Sequence, residues 1–479
     1  MKNNPTPQWF SVQKPYLPRH QAKERAVSLL DVKFARMAKQ HELRVSILGL
    51  GHIGLPTAAA IALAGYRVVG VDVNQDRLQR IRNGELEHQE AGFEGKLFSL
   101  IESHRLNLTD DLSSADGKFD VYVICAQTPL DRNNRPDLRA VTSATGSIAD
   151  RLEVGSLVTV HSSLPPGTTR SKLAPFLARK SALQCGKDFW LTVSPERMTP
   201  SLSLHEFATN PRAIGGYNPK CAQVAASFYT EFIKGKLILT DATVAEVSKL
   251  AENAFRDVNI AFANELAQIC ENLAVPVREV IDLANTHPRV RIHDPGAGVG
   301  GPCLPKDPYL LLASAPRKRT DSLILTARKI NDEMPNRMVR LVHHSLTRVG
   351  KRIKGANIAI LGLAYKPDVD DTTYSPAGTI IDLLTNAGAS VRTYDPVVRE
   401  SLGGRRCDSL EIAVRDADCI VIVTEHSVFR DMKLRNLRKL TRDDPIIVDG
   451  RSILLGKDVK ENGFYYVGIG VPPRTDMSD

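Results

Sequence analysis

A cysteine set in a glycine- and proline-rich loop is the strongest chemical signal in this chain. The loop reads G-V-G-G-P-C-L-P-K-D from Gly298 to Asp307, with Cys303 just after the glycines and four residues before Asp307. Glycines clear side chains from around the sulfur and admit a ligand or a second stretch of backbone. Pro302 and Pro305 restrict the shape of the loop. A free cysteine is usually a small buried apolar filler. A loop is a poor place for one, because buried loops strand backbone polar groups. The residues therefore point to a nucleophilic thiol, and such a thiol needs a redox partner elsewhere in the chain.

That partner is legible near the N-terminus. Residues 44–50 read as a buried strand running into G-L-G-H-I-G, followed by a helix over 55–64 and a second strand over 67–73 that carries Asp72. A lone G-x-G-x-x-G is weak evidence, but with both flanking elements and the acid it becomes a dinucleotide fingerprint. Gly49 makes the tight turn, Gly51 lets a pyrophosphate approach the backbone, and Gly54 lets the helix pack on the sheet. His52 and Ile53 lie between them at the helix N-terminus, which faces the phosphates. Asp72 would accept from ribose hydroxyls and repel a 2′-phosphate, favouring NAD over NADP; Arg77 stands close by. Further strands at 121–125 and 157–160 end in A-Q-T-P-L-D and S-S-L-P-P-G-T-T. In a doubly wound sheet such ends line the ligand crevice, and Thr128, Ser162 and Ser163 are placed to donate there.

A third signal lies on a long helix expected over 243–273. Lys249, Asn253 and Arg256 fall at i, i+4 and i+7, one stripe on an otherwise apolar helix. Buried cations are costly unless paired, so the stripe reads as a binding face, with ion pairs to Glu252 and Asp257 as the structural alternative.

Composition bounds the rest. The 479 residues suggest two to four domains, and the 42% apolar content is ordinary. No run of about 20 apolar residues is present, so no membrane span is expected. The polar, proline-rich opening lacks the apolar stretch of a signal peptide, and a cytoplasmic location is expected. Seven scattered cysteines show neither C-x-x-C pairs nor metal-ligand spacing, so no metal is expected. The net charge of +9 is spread along the chain, without an aromatic-interleaved basic platform. An anionic small substrate fits better than nucleic acid.

The expected fold class is α/β: two Rossmann-like doubly wound domains joined by a central helical domain. An appendage over 1–42, containing an amphipathic helix within 21–40, precedes a dinucleotide-binding domain over 43–225. Helices fill 226–350, and a second Rossmann-like domain spans 351–470. In that last domain a strand and glycine turn recur at A-N-I-A-I-L-G-L-A-Y, ending at Tyr365, but with only Gly362 of the three glycines. It is expected not to hold a dinucleotide in the same way.

Over residues 44–465 the chain resembles the NAD-dependent nucleotide-sugar 6-dehydrogenases, the family of UDP-glucose and GDP-mannose dehydrogenases. The resemblance rests on I-G-L-P-T-A-A-A, E-N-A-F-R-D-V-N-I-A-F-A-N-E-L, A-N-T-H-P-R-V and G-A-G-V-G-G-P-C, in family order. It implies Cys303 as nucleophile, Lys249 and Asn253 as the pair handling the C6 oxygen, and Asp307 as a carboxylate assisting the sulfur or a water. Glu196, in S-P-E-R, looks like the glutamate near the reacting carbon, with Arg197 beside it. Arg256, His287 and Arg289 match sugar-nucleotide contacts of the N-acetylmannosamine branch. Gly300, Tyr365, Lys366 and Arg451 match further substrate positions, the last three holding the UDP part, and Lys306 approaches the cofactor.

The implied reaction is a four-electron oxidation of a UDP-sugar C6 alcohol to the acid with two NAD⁺, through a thiohemiacetal and a thioester on Cys303. An ordinary thiol titrates near about 8.5, so the site is expected to stabilise the thiolate through Lys249 and backbone N–H groups. The resemblance also implies a homodimer or higher homo-oligomer. UDP-N-acetyl-D-mannosamine is the expected substrate. UDP-N-acetylglucosamine, UDP-glucose and a non-catalytic sugar-nucleotide binder are the alternatives. Three positions depart from the family pattern: Thr373 replaces a usual arginine, His161 a common glutamate, and Pro302 a histidine usual in this branch.

Overall fold

The computed structural model of the protein describes residues 29–86, 92–199, 202–315 and 322–471. Two twisted sheets carry the chemistry at their strand ends. The first contains β1 (Arg44–Leu48), β2 (Arg67–Val71), β3 (Leu106–Thr109), β4 (Val121–Ile124), β5 (Leu157–Val160), β6 (Trp190–Val193), β7 (Arg212–Gly216) and β8 (Leu237–Asp241), in the order β3-β2-β1-β4-β5-β6-β7-β8. All pairs are parallel except β6 with β7. Every residue of β4, β5 and β6 is buried, as expected of near-continuous apolar strands covered by helices on both faces.

The glycine turn forms as its spacing demands. Gly49 has φ +94°, and a Cβ on Gly54 would stand 1.7 Å from the Gly49 carbonyl oxygen. Only glycine lets the helix Gly54–Leu63 start so close to β1.

Two expected boundaries move. The sheet continues through β8 to Asp241, so the domain limit expected at 225 falls inside the helix Pro219–Tyr229. The segment before residue 43 is more than an appendage where it is described. Its helix, Leu29–Lys39, buries Phe34 and Ala38 in the first core, and the Phe34 ring meets Trp190 edge-on at 5.5 Å. Residues 21–28 of the expected amphipathic helix lie outside the described residues.

The second sheet contains β9 (Asn357–Leu361), β10 (Ser390–Tyr394), β11 (Arg405–Arg406), β12 (Cys419–Ile422), β13 (Ile446–Asp449) and β14 (Tyr465–Gly468), all parallel, in the order β11-β10-β9-β12-β13-β14. It repeats the glycine turn at Gly362, φ +89°. The acid that follows its second strand is already taken. Asp395 accepts from Leu363 N–H (2.6 Å), Ala364 N–H (3.1 Å), Val397 and Val398 N–H (both 2.9 Å), and pairs with His426 Nε2 at 2.9 Å. A carboxylate has about four acceptor positions, so none remains for a ribose.

Between the sheets runs the central helix Ala242–Asn272, 31 residues long. Asp241 caps it by accepting from Thr243 N–H at 2.8 Å. It packs along the connecting helix Leu323–Arg348 through a buried polar seam. Arg328 pairs with Asp257, Asn331 donates to Asp257 Oδ1 at 2.9 Å, and Asn264 donates to Asn331 at 2.9 Å. Glu246 ties the helix to the first sheet, accepting from Gly167 N–H (2.6 Å), Thr169 N–H (2.9 Å) and Thr169 Oγ1 (2.6 Å).

The seam fixes the register of the two helices, and Arg328 is its buried cation. Arg328→Met should leave Asp257 as an uncompensated buried carboxylate and destabilise the protein by about 3–5 kcal/mol. Chemical denaturation checks this, and a loss below about 1 kcal/mol would refute the structural weight given to the pair.

Candidate active site

A cavity of about 680 Å³ opens at the carboxyl ends of the first sheet's strands, between the glycine turn, the central helix and the Cys303 loop. Gly51, His52, Ile53, Arg77, Thr128 and Ser163 line it from the nucleotide-binding side. Glu196, Arg197, Lys249, Asn253, Arg256, Gly300, Cys303, Lys306, Tyr365 and Lys366 line the rest. Most of the residues singled out in the sequence thus meet in one place.

The central helix and the loop are joined by a direct bond. Asn253 Nδ2 donates to Asp307 Oδ2 at 2.6 Å, with both groups buried. Asp307 begins the short helix Asp307–Leu312, and its N–H donates to the Cys303 carbonyl at 2.8 Å. Its other carboxylate oxygen lies 3.1 Å from Lys306 Nζ, which in turn donates to Thr128 Oγ1 at 3.2 Å. Thr128 Oγ1 donates to the Ser163 carbonyl at 2.9 Å. One chain of contacts therefore runs from the central helix through the thiol loop to the ends of β4 and β5.

The loop glycines serve a close approach. A Cβ on Gly301 would lie 2.8 Å from the Tyr365 ring, and one on Gly300 would lie 2.7 Å from the Tyr374 carbonyl. Gly301 N–H donates to the Thr373 carbonyl at 2.7 Å. The backbone at Thr373 thus ties the second Rossmann-like domain to the Cys303 loop although the usual arginine is absent.

The thiol is not resting as a thiolate. Burial raises its pKa above the ordinary value and the Asp307 carboxylate raises it further, while Lys249, Lys306 and Arg256 pull the other way. The expectation that the site stabilises the thiolate is corrected: desolvation and the Asp307 charge outweigh the three cations.

The charges sort into fixed and available. Arg77 pairs with Asp72 at 3.1 Å, and Arg197 forks onto Glu252 of the central helix. Among the described residues Lys249, Arg256 and Lys366 make no ion pair, and all three line the cavity. Three available cations suit an anionic ligand. Of the ion pairs considered for the stripe, Glu252 takes Arg197 and Asp257 takes Arg328 instead. Burial lowers the Lys366 pKa.

Seven singled-out residues lie outside the cavity lining: Gly49 and Gly54 of the glycine turn, Asp307 behind the thiol loop, and Asp72, His287, Arg289 and Arg451. Asp72 is buried; it accepts from Leu50 N–H (2.8 Å) and Asn74 N–H (2.9 Å), so it braces the turn. Arg451 is held in a bidentate pair by Glu425, at 2.5 and 2.6 Å. His287 and Arg289 sit exposed just beyond the helix Val277–Asn285. Sequence reasoning passed over Arg212, which pairs with Glu196 from β7; a single arginine opening the otherwise small and apolar strand R-A-I-G-G was the available signal.

The nucleotide-binding side fits a dinucleotide. Gly51 lines the cavity, and a Cβ there would find only the Gln127 side chain, at 3.9 Å, leaving room beside the backbone for a phosphate. The helix that follows has Ile53 at its cap, whose side chain does not cap it.

Three adjoining stretches of this chain match models of one family: its NAD binding domain over residues 43–233, its central domain over 243–333 and its UDP binding domain over 359–456. The chain belongs to the UDP-glucose/GDP-mannose dehydrogenase family. It is accordingly an NAD-dependent oxidoreductase, with the cavity where its three parts meet. The UDP-N-acetyl-D-mannosamine dehydrogenase of Pyrococcus horikoshii is 43% identical over 428 residues, covering 89% of this chain and 99% of the relative. The solved structure of that archaeal enzyme superposes with a TM-score of 0.84 over 90% of this chain and 99% of its own. The UDP-N-acetyl-mannosamine dehydrogenase of Staphylococcus aureus, 34% identical, superposes with a TM-score of 0.79 over 89% of this chain and 98% of its own.

The balance of charges around the sulfur gives a direct test. In the ligand-free protein, alkylation of Cys303 by iodoacetamide, followed by peptide mass spectrometry, should keep accelerating above pH of about 8.5, the ordinary thiol midpoint. Asp307→Asn removes a like charge and should move the profile to lower pH; Lys249→Met should move it higher. A plateau already reached near neutral pH would contradict this electrostatic account.

Proposed function

We propose that this chain oxidises the C6 alcohol of UDP-N-acetyl-D-mannosamine to UDP-N-acetyl-D-mannosaminuronate. The observation that carries this reading is the meeting of Cys303, Lys249, Asn253 and Asp307 in the cavity wall or directly behind it, in a chain whose similar relatives carry that enzyme name. Bound NAD⁺ supplies the hydride acceptor, used twice per substrate.

The residues of the chain do the rest. Arg256 and Lys366 offer unpaired positive charge to the diphosphate, and Tyr365 closes the wall against the thiol loop. Lys249 and Asn253 face the C6 oxygen and stabilise negative charge as it develops there. Cys303 adds to the aldehyde carbon, forming a C–S bond; the thiol proton leaves as the thiolate forms, and the carbonyl oxygen becomes the thiohemiacetal hydroxyl. This adduct keeps the aldehyde from escaping, and its oxidised form is a thioester that water hydrolyses. Asp307 and Glu196, both buried, are the carboxylates assigned to take protons from sulfur or water. Arg77, held by Asp72, lines the cavity at the ribose end of the dinucleotide site. His287, Arg289 and Arg451 take no part in this assignment for a single chain.

The reading includes a homodimer. Val244, Val247, Phe255, Phe262 and Ile269 of the central helix and Leu273 at its C-terminal cap are each 38–67% exposed. At about 100° per residue they fall on one stripe, the pattern of a helix that packs against a partner. A second copy of this chain is the proposed partner. The seven free cysteines are consistent with a reducing, cytoplasmic setting.

Two outcomes follow. Wild type should form two NADH per UDP-N-acetyl-D-mannosamine, faster than with UDP-N-acetylglucosamine or UDP-glucose. Cys303→Ser should keep ligand binding while acid formation falls by roughly a thousandfold or more; near-normal acid formation would remove the thioester route, and best turnover on UDP-glucose would remove the sugar assignment. Separately, Phe255→Glu with Phe262→Glu should shift sedimentation from dimer to monomer, and an unchanged sedimentation coefficient would dismiss the stripe as the interface.

A further inference from the structure

A buried line of side chains runs from inside the first sheet to the cavity wall. Tyr229 Oη lies 2.9 Å from Thr159 Oγ1 on β5 and 2.8 Å from His161 Nε2 just beyond it. The other imidazole nitrogen turns toward Glu196, with Nδ1 3.5 Å from Oε1. Arg212 pairs with that same oxygen, so both neighbours lie on the Oε1 side of the carboxylate, where the imidazole Nδ1 has no other hydrogen-bond partner. All five residues are buried, and His161 and Glu196 also line the cavity.

Electrostatics decides where the imidazole proton sits. Burial first, and then the Arg212 guanidinium, hold the His161 pKa well below the ordinary imidazole range, so the ring is neutral. A neutral imidazole carries one N–H and one lone pair. A lone pair on Nδ1 would be repelled by the carboxylate oxygen, whereas a proton there is attracted. Nε2 then accepts from the Tyr229 hydroxyl, and Tyr229 accepts from Thr159. Thr159 has no exposed surface, so the line has no exit to solvent and orients rather than conducts.

We propose that His161, protonated on Nδ1, is a positioning residue that fixes Glu196 with its Oε2 directed to the reacting centre. This rests on the reading of Glu196 as a carboxylate of the reaction. The separation of 3.5 Å is long for a hydrogen bond, and contacts of this kind tighten when substrate fills the site.

Side-chain amides separate the two imidazole nitrogens. The Asn amide of His161→Asn reaches about where Nδ1 lies; that of His161→Gln reaches about where Nε2 lies and satisfies only Tyr229. With UDP-N-acetyl-D-mannosamine, His161→Asn should keep kcat within about threefold of wild type, while His161→Gln and His161→Phe should lose roughly tenfold or more in kcat with KM within about twofold. Thermal melting of each variant reports folding; if His161→Phe fails to fold, the Asn-against-Gln comparison carries the test. Equal kcat in the Asn and Gln variants, or a Gln variant better than Asn, would overturn the positioning role. Glu196→Gln is assayed alongside. If it retains turnover, the reading of Glu196 itself fails; if it loses turnover while the His161 variants do not, only the positioning role fails.

Discussion

The bond between Asn253 and Asp307 is the constraint on which the site depends. It joins a side chain on a rigid 31-residue helix to the first residue of a six-residue helix, across 54 positions of sequence. Cys303 is held by the same junction, because the Asp307 N–H donates to its carbonyl. The sulfur therefore takes its place from the central helix, which also carries Lys249 and Arg256. A thiol on a free loop would have to be ordered by substrate, at an entropic cost for each residue fixed. Here the ordering is done in folding, and the seam of Asp257, Arg328, Asn331 and Asn264 keeps the central helix from sliding along its neighbour.

The two sheets use one device for different ends. Each places an aspartate just after the second strand of its glycine-turn unit, and each aspartate accepts from the N–H just after the first strand's end or its glycine: Asp72 from Leu50, Asp395 from Leu363. In the first sheet the remaining acceptor capacity meets Arg77, whose guanidinium lines the cavity. In the second it meets His426 and further backbone amides, and a Cβ on Gly362 would stand 2.7 Å from Thr424. The second unit has turned its nucleotide-binding hardware inward, as internal bracing. That is the physical content of a Rossmann-like repeat with one glycine where the other has three.

Much of this was legible in the residues because it depends on local rules. Gly49, Gly51 and Gly54 obey backbone sterics that any reader can apply, and the stripe Lys249–Asn253–Arg256 follows from helical period alone. The family resemblance then supplied roles that spacing could not. Misplaced features were those decided by long-range packing. The extent of the first sheet depended on β8 joining β7 beyond an antiparallel step, which no short pattern announces. The pairing of Arg451 with Glu425, of Arg197 with Glu252 and of Arg212 with Glu196 depends on partners 26, 55 and 16 positions away, so which cations stay available could not be read along the chain.

The thiol's electrostatics was also beyond sequence reading, for the same reason, and its outcome has a chemical logic. A cysteine flanked in sequence by Lys306 and reached by Lys249 looks like a thiolate. Burial and the carboxylate of Asp307 reverse that sign. A neutral resting thiol is a weaker target for stray electrophiles and oxidants, since the thiolate is the reactive form. The price is a proton that must leave when the sulfur attacks. In the reaction proposed above Asp307, buried and bonded to Asn253, receives that proton, and once it does so it no longer raises the thiol pKa. On that proposal, acceptance of the proton and activation of the nucleophile are one event, driven by the same carboxylate that raises the thiol pKa at rest.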